Sequence, residues 1–79
     1  MKYKTNGCNA VNANSMKEAA EIFAYRFARR TYGKNADVRT LNQNCYSVNG
    51  KTAEYNAFIG ITKANETTGN NIHFVIETV

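Results

Sequence analysis

Residues 37–62 read DVRTLNQNCYSVNGKTAEYNAFIGIT, and their pattern decides the fold. Asn49-Gly50 stands between two strand-like runs, and this dipeptide is the strongest short-range hairpin signal because both central residues of a type I′ turn need positive φ. From Lys51 to Thr62 the chain alternates, with Ala53, Tyr55, Ala57, Ile59 and Ile61 on one side and Thr52, Glu54, Asn56, Phe58 and Thr62 on the other. The spacing predicts that Asp37 to Val48 pairs antiparallel with Lys51 to Thr62.

Further along, Ile72, Phe74 and Ile76 alternate with His73, Val75 and Glu77, which reads as a last strand. The Asn-, Thr- and Gly-rich stretch Asn65 to Asn71 reads as the turn into it. Towards the N-terminus, Ser15 followed by Glu18 is a capping box, and no Pro or Gly interrupts Met16 to Tyr32 before Gly33 ends the run. At 100° per residue, Met16, Ala20, Phe23, Ala24 and Phe27 share one stripe flanked by Ala19, which is the expected core face. Met1, Tyr3, Val11 and Ala13 share odd parity and suggest a leading strand, with Gly7 marking a bulge or kink.

The sequence therefore predicts one α+β domain over residues 1–79: a four-stranded antiparallel sheet in the order β-α-β-β-β, with one helix on one face. Seventy-nine residues leave no room for a second domain. Ten of the hydrophobic residues are Ala and one is Leu, so the core is expected to be thin. A single helix covers one sheet face, and the other must meet water or a partner. Phe58 and Val75 lie on that second parity and form a candidate homodimer face.

Apolar runs are too short for a membrane span or a signal-peptide core, so the expected location is the cytoplasm, with Cys8 and Cys45 reduced. Asn65-Glu66-Thr67 matches a glycosylation sequon, but with twelve Asn in the chain a chance match is expected. Catalysis finds little support. His73 is the single histidine, no nucleophile–base spacing is apparent, and Cys8, Cys45 and His73 include no close ligand pair. The five glycines are isolated and form no phosphate loop. The chain reads as a non-enzymatic protein without cofactor or metal.

Charge is the informative feature. Residues 1–39 hold eight Lys or Arg against three acids, while residues 40–79 hold two Lys against three Glu, so the overall +4 belongs to the helical half. Arg26, Arg29 and Arg30 fall in the last helical turns, followed by Lys34 and Arg39. Guanidinium groups fork phosphate and carboxylate bidentately, so the three arginines form a candidate anion-gripping flank. Basic residues near a helix C-terminus also complement the macrodipole, which is the plainer reading of the same residues. Tyr25 and Tyr32 project away from the core stripe and are expected in the open beside the arginines, with Ile22 off the stripe on that flank; the plainer reading is that such residues widen the core boundary. Tyr beside Arg suits either base stacking or a protein contact.

A short chain with a leading strand ending in Val11-Asn12-Ala13-Asn14-Ser15, an Ala- and Arg-rich helix and a terminal meander resembles small phage-encoded accessory proteins of the anti-CRISPR kind. That resemblance implies an inhibitor of a host nucleoprotein complex, acting through exposed side chains in the host cytoplasm. The basic balance fits an acidic protein surface, DNA or RNA as partner, unlike the acidic DNA mimics of that group. Direct nucleic-acid binding and self-association are the competing expectations.

Overall fold

The computed structural model describes residues 1–5, 7–46, 50–63 and 66–79, and the side chains of these except 45, 46, 62, 63 and 66–68. Its elements are β1 (Lys2–Lys4), β2 (Val11–Asn12), α1 (Met16–Tyr32), β3 (Ala36–Tyr46), β4 (Thr52–Lys63) and β5 (Glu66–Thr78). One antiparallel sheet has the order β2-β1-β5-β4-β3, and no described helix is long and apolar enough to cross a membrane.

The α+β architecture with one helix on an antiparallel sheet is as the sequence predicts, but the sheet has five strands where four were expected. The leading strand divides. Gly7 sits at φ +79°, a conformation an L side chain resists, and the chain reverses there rather than kinking. Cys8 N–H donates to Thr5 O at 3.1 Å across the turn, and Tyr3 comes to lie opposite Val11. Their shared parity survives because they are cross-strand partners on the core side.

The β3–β4 pairing follows expectation, with Tyr46 opposite Ala53 and Gly50 at φ +71°. Asn49 and the expected extension of β3 to Val48 lie outside the described residues. Asn65 lies outside the described residues, but the rest of the expected turn, from Glu66 to Asn71, is strand. Glu66 to Asn71 belong to β5 and pair with Phe58 to Lys63 in unbroken register. Two features overrule the turn composition: β-branched Thr67 and Thr68 suit a strand, and Gly69 stands opposite Gly60 under the ring of Phe58.

Helix α1 starts as its capping residues dictate, with Glu18 N–H donating to Ser15 Oγ at 3.1 Å, and ends where Gly33 N–H reaches Arg29 O at 3.0 Å. Its buried residues are Ala19, Ala20, Phe23, Ala24 and Ala28, with Met16 and Phe27 half-buried beside them. On the sheet, Ala53, Tyr55, Ala57 and Ile59 of β4 and Phe74 and Ile76 of β5 complete the core. Rings link the layers: Phe23 stacks on Phe27, Phe27 meets Phe74 edge-on at 5.4 Å, and Phe74 stacks on Tyr55 at 6.1 Å. Tyr55 keeps its hydroxyl satisfied by donating to Gln43 Oε1 at 3.1 Å.

Phe23, Ile59 and Ile76 are the largest fully buried side chains, so each carries much of a small core. Phe23→Ala should cost about 3 to 5 kcal/mol, as aromatic truncations in cores do, which in a chain of this size removes most of the folded population. Chemical denaturation followed by circular dichroism measures it.

Candidate partner-binding surface

Arg26, Arg29 and Arg30 are all exposed on the last two turns of α1, and Lys34 is exposed just beyond Gly33. No acid lies three or four residues from any of the three arginines along the helix. Among the described residues the ion pairs are Lys4–Glu77 at 3.9 Å and, when His73 is protonated, His73–Glu54 at 3.7 Å, neither of which involves an arginine. Arg26 therefore faces Arg29 and Arg30 at like-charge helical spacing, and no acidic side chain among the described residues pairs with them to offset the repulsion. Arg29 and Arg30 are favoured by the carbonyl end of the helix; Arg26 stands a turn further back, where that effect has weakened.

The two tyrosines divide. Tyr25 is 46% exposed and lines a groove with Lys17 and Glu21 against Val38 and Leu41 of β3. Tyr32, expected in the open, is half-buried against the core, and its hydroxyl accepts a hydrogen bond from Asn70 Nδ2 at 2.8 Å. The side chain is held by β5: at the end of the helix it packs against the core and takes the Asn70 amide as its hydrogen-bond donor. Ile22, also expected off the core, is half-buried and packs against it.

Arg39 borders the groove beside Tyr25, on the flank of the helix away from Arg26 and Arg30. It is the extra residue of a bulge between Val38 and Thr40, and its side chain lies across Gly60, where a Cβ would meet Arg39 Nε and stand 2.8 Å from Cγ. Gly60 shares the parity of Glu54, Asn56 and Phe58, so Arg39 is carried to the helix-free face. Sequence proximity placed it with Arg30 and Lys34; the alternation of the strand turns it away, since Val38 before it faces the core.

On that helix-free face Phe58 is 37% and Val75 40% exposed. Val75 pairs with Glu54 and Phe58 with Asn71, with the Asn56–His73 pair between them. The two apolar side chains are thus interrupted by polar ones rather than contiguous. Phe58 also covers Gly69: a Cβ there would fall into the ring and stand 2.9 Å from the Ile59 carbonyl oxygen. This cross-strand covering of a glycine by an aromatic ring has a structural purpose of its own.

Among the described residues no cluster of three His, Cys, Asp or Glu gathers at metal-binding distance, and Cys8 is a half-buried free thiol. The side chain of Cys45 and the sequon at Asn65 lie outside the described residues. Compared with known proteins, the chain matches no family model, no curated protein and no solved structure.

Because the Phe58 ring is committed to Gly69, Phe58→Ala should lower stability by up to about 1 kcal/mol, the range of a cross-strand pair, equally at low and high protein concentration. A loss that grows with concentration in thermal melts would instead mark this face as a dimer interface.

Proposed function

We propose that the protein is a non-enzymatic binding module that grips an anionic partner through Arg26, Arg29 and Arg30, supported by Lys34 and, at the helix surface, Tyr25. The observation that carries this reading is the set of three exposed guanidinium groups on two successive turns, with no acidic partner among the described residues. The helix dipole favours Arg29 and Arg30 but gives Arg26 little reason to stand at like-charge spacing from both, whereas bidentate recognition of carboxylate or phosphate does. Tyr25, four residues before Arg29 on the flank that faces β3, adds a ring beside that one guanidinium. The resemblance to anti-CRISPR inhibitors extends the proposal to a partner that is a nucleic-acid-handling complex of a phage host.

Arg26→Glu combined with Arg30→Glu tests it. Exposed substitutions cost little, so the melting profile should stay within about 0.5 kcal/mol of the parent. Binding to a fluorescent polyglutamate and to an oligouridine, read by anisotropy, should fall at least tenfold. Unchanged binding by the folded double variant moves the site elsewhere. If phosphates are the natural ligand, three neutralised charges give a log–log salt slope of about −2 on the single strand.

A further inference from the structure

Strand β5 has an outer edge that the sheet leaves unpaired. Its partner on that side, β1, reaches only Glu77 and Thr78, with Val79 N–H donating to Lys2 O at 3.0 Å. On the other side Thr78 N–H donates to Lys51 O at 2.9 Å. Backbone groups alternate direction along an antiparallel strand, so even-numbered residues of β5 bond to β4 and odd-numbered ones point outward. The N–H and C=O groups of Gly69, Asn71, His73 and Val75 therefore face outward, and no strand among the described residues meets them.

The remaining edges are protected. β3 carries bulges between Val38 and Thr40 and between Gln43 and Cys45, and β2 has two residues. β5 pairs with β4 without any register shift. Its open edge carries no bulge, and Thr5, Phe27, Thr31, Ile72 and Phe74 line a groove beside it.

Helix geometry sets the charge there. Lys17, Glu21 and Tyr25 form the flank that faces β3. At 100° per residue Arg26 and Arg30 fall on the opposite flank, above the β5 side. Two copies of this chain pairing edge to edge would bring both pairs of arginines together, so like charge disfavours the second copy as occupant.

We infer that the β5 edge from Gly69 to Val75 receives an extended acidic segment of a partner protein as an added antiparallel strand. Its backbone bonds to the outward groups of Asn71 and His73, one apolar side chain enters the groove beside Ile72 and Phe74, and flanking carboxylates reach Arg26 and Arg30. This rests on the anion-binding reading above and names its partner.

The probe is the acetylated, amidated peptide Ser-Glu-Thr-Val-Thr-Glu-Ser, whose glutamates and valine share the helix-facing side. In that register the threonine amides point at β5 and the valine amide points away. The peptide should bind and slow amide hydrogen exchange of Asn71 and His73 at least tenfold. N-methylation of both threonines should abolish binding, N-methylation of the valine should preserve it, and Arg26→Glu with Arg30→Glu should weaken it at least tenfold. Equal binding by both N-methylated peptides, or no binding by a protein that still takes polyglutamate, overturns strand addition while leaving the anion-binding reading standing. Exchange protection at Asn71 and His73 without peptide, rising with protein concentration, overturns it in favour of a second copy.

Discussion

Everything in this small domain depends on how closely one helix lies on the sheet. Ala19, Ala20, Ala24 and Ala28 of the helix and Ala36, Ala53 and Ala57 of the sheet are all buried, so small side chains line both surfaces of the contact. Close approach brings dispersion contacts that alanine cannot provide at a distance. Phe23 fills the centre, and the sequence of rings from Phe27 through Phe74 to Tyr55 ties helix, β5 and β4 into one unit. A thin core is thus not a loose one.

The same arrangement leaves surface uncovered. A helix of 17 residues is about 26 Å long, whereas the 13 residues of β5 run about 43 Å. One helix therefore shields one face over part of its length, and the strands extend past it. The far face is managed side chain by side chain: Phe58 covers Gly69, Arg39 covers Gly60, and Glu54, Lys4 and Glu77 supply charge. Polar residues between Phe58 and Val75 keep that face from forming a continuous apolar patch.

Much of this was legible in the sequence because the decisive features are local. The caps at Ser15 and Gly33, the alternation of β4 and β5 and the helix stripe all obey periods of two or 3.6 residues, and the structure follows them. What escaped depended on partners distant in the chain. Glu66 to Asn71 has turn composition, yet Gly69 is tolerated in a strand because Phe58, eleven residues earlier, fills the space above it. Gly7 announced an irregularity but not its kind, since a kink and a reversal draw on the same freedom at positive φ. For the candidate site, exposure of the three helix arginines was readable from the wheel. Arg39 was set beside them by proximity in the chain alone, although a period of two from core-facing Val38 turns it to the other face. Tyr32 obeys its contacts with the core and with Asn70 of β5 rather than the helix period.

These two kinds of feature bear differently on function. Alanines and rings in the core are satisfied by folding, and their arrangement accounts for them fully. Arg26, Arg29 and Arg30 are not: nothing described in the fold offsets their mutual repulsion, and their side chains reach into solvent rather than across to acids. The outer groups of β5 stand in the same position, since backbone donors and acceptors are ordinarily paired or shielded in a sheet whose other edges are bulged or cut short. Two independent features that lack partners among the described residues, Arg26 with Arg30 and the outer groups of β5, lie on the same side of the helix. The helix-free face carries covered glycines and the Lys4–Glu77 pair, whereas cation and open backbone meet on the β5 side.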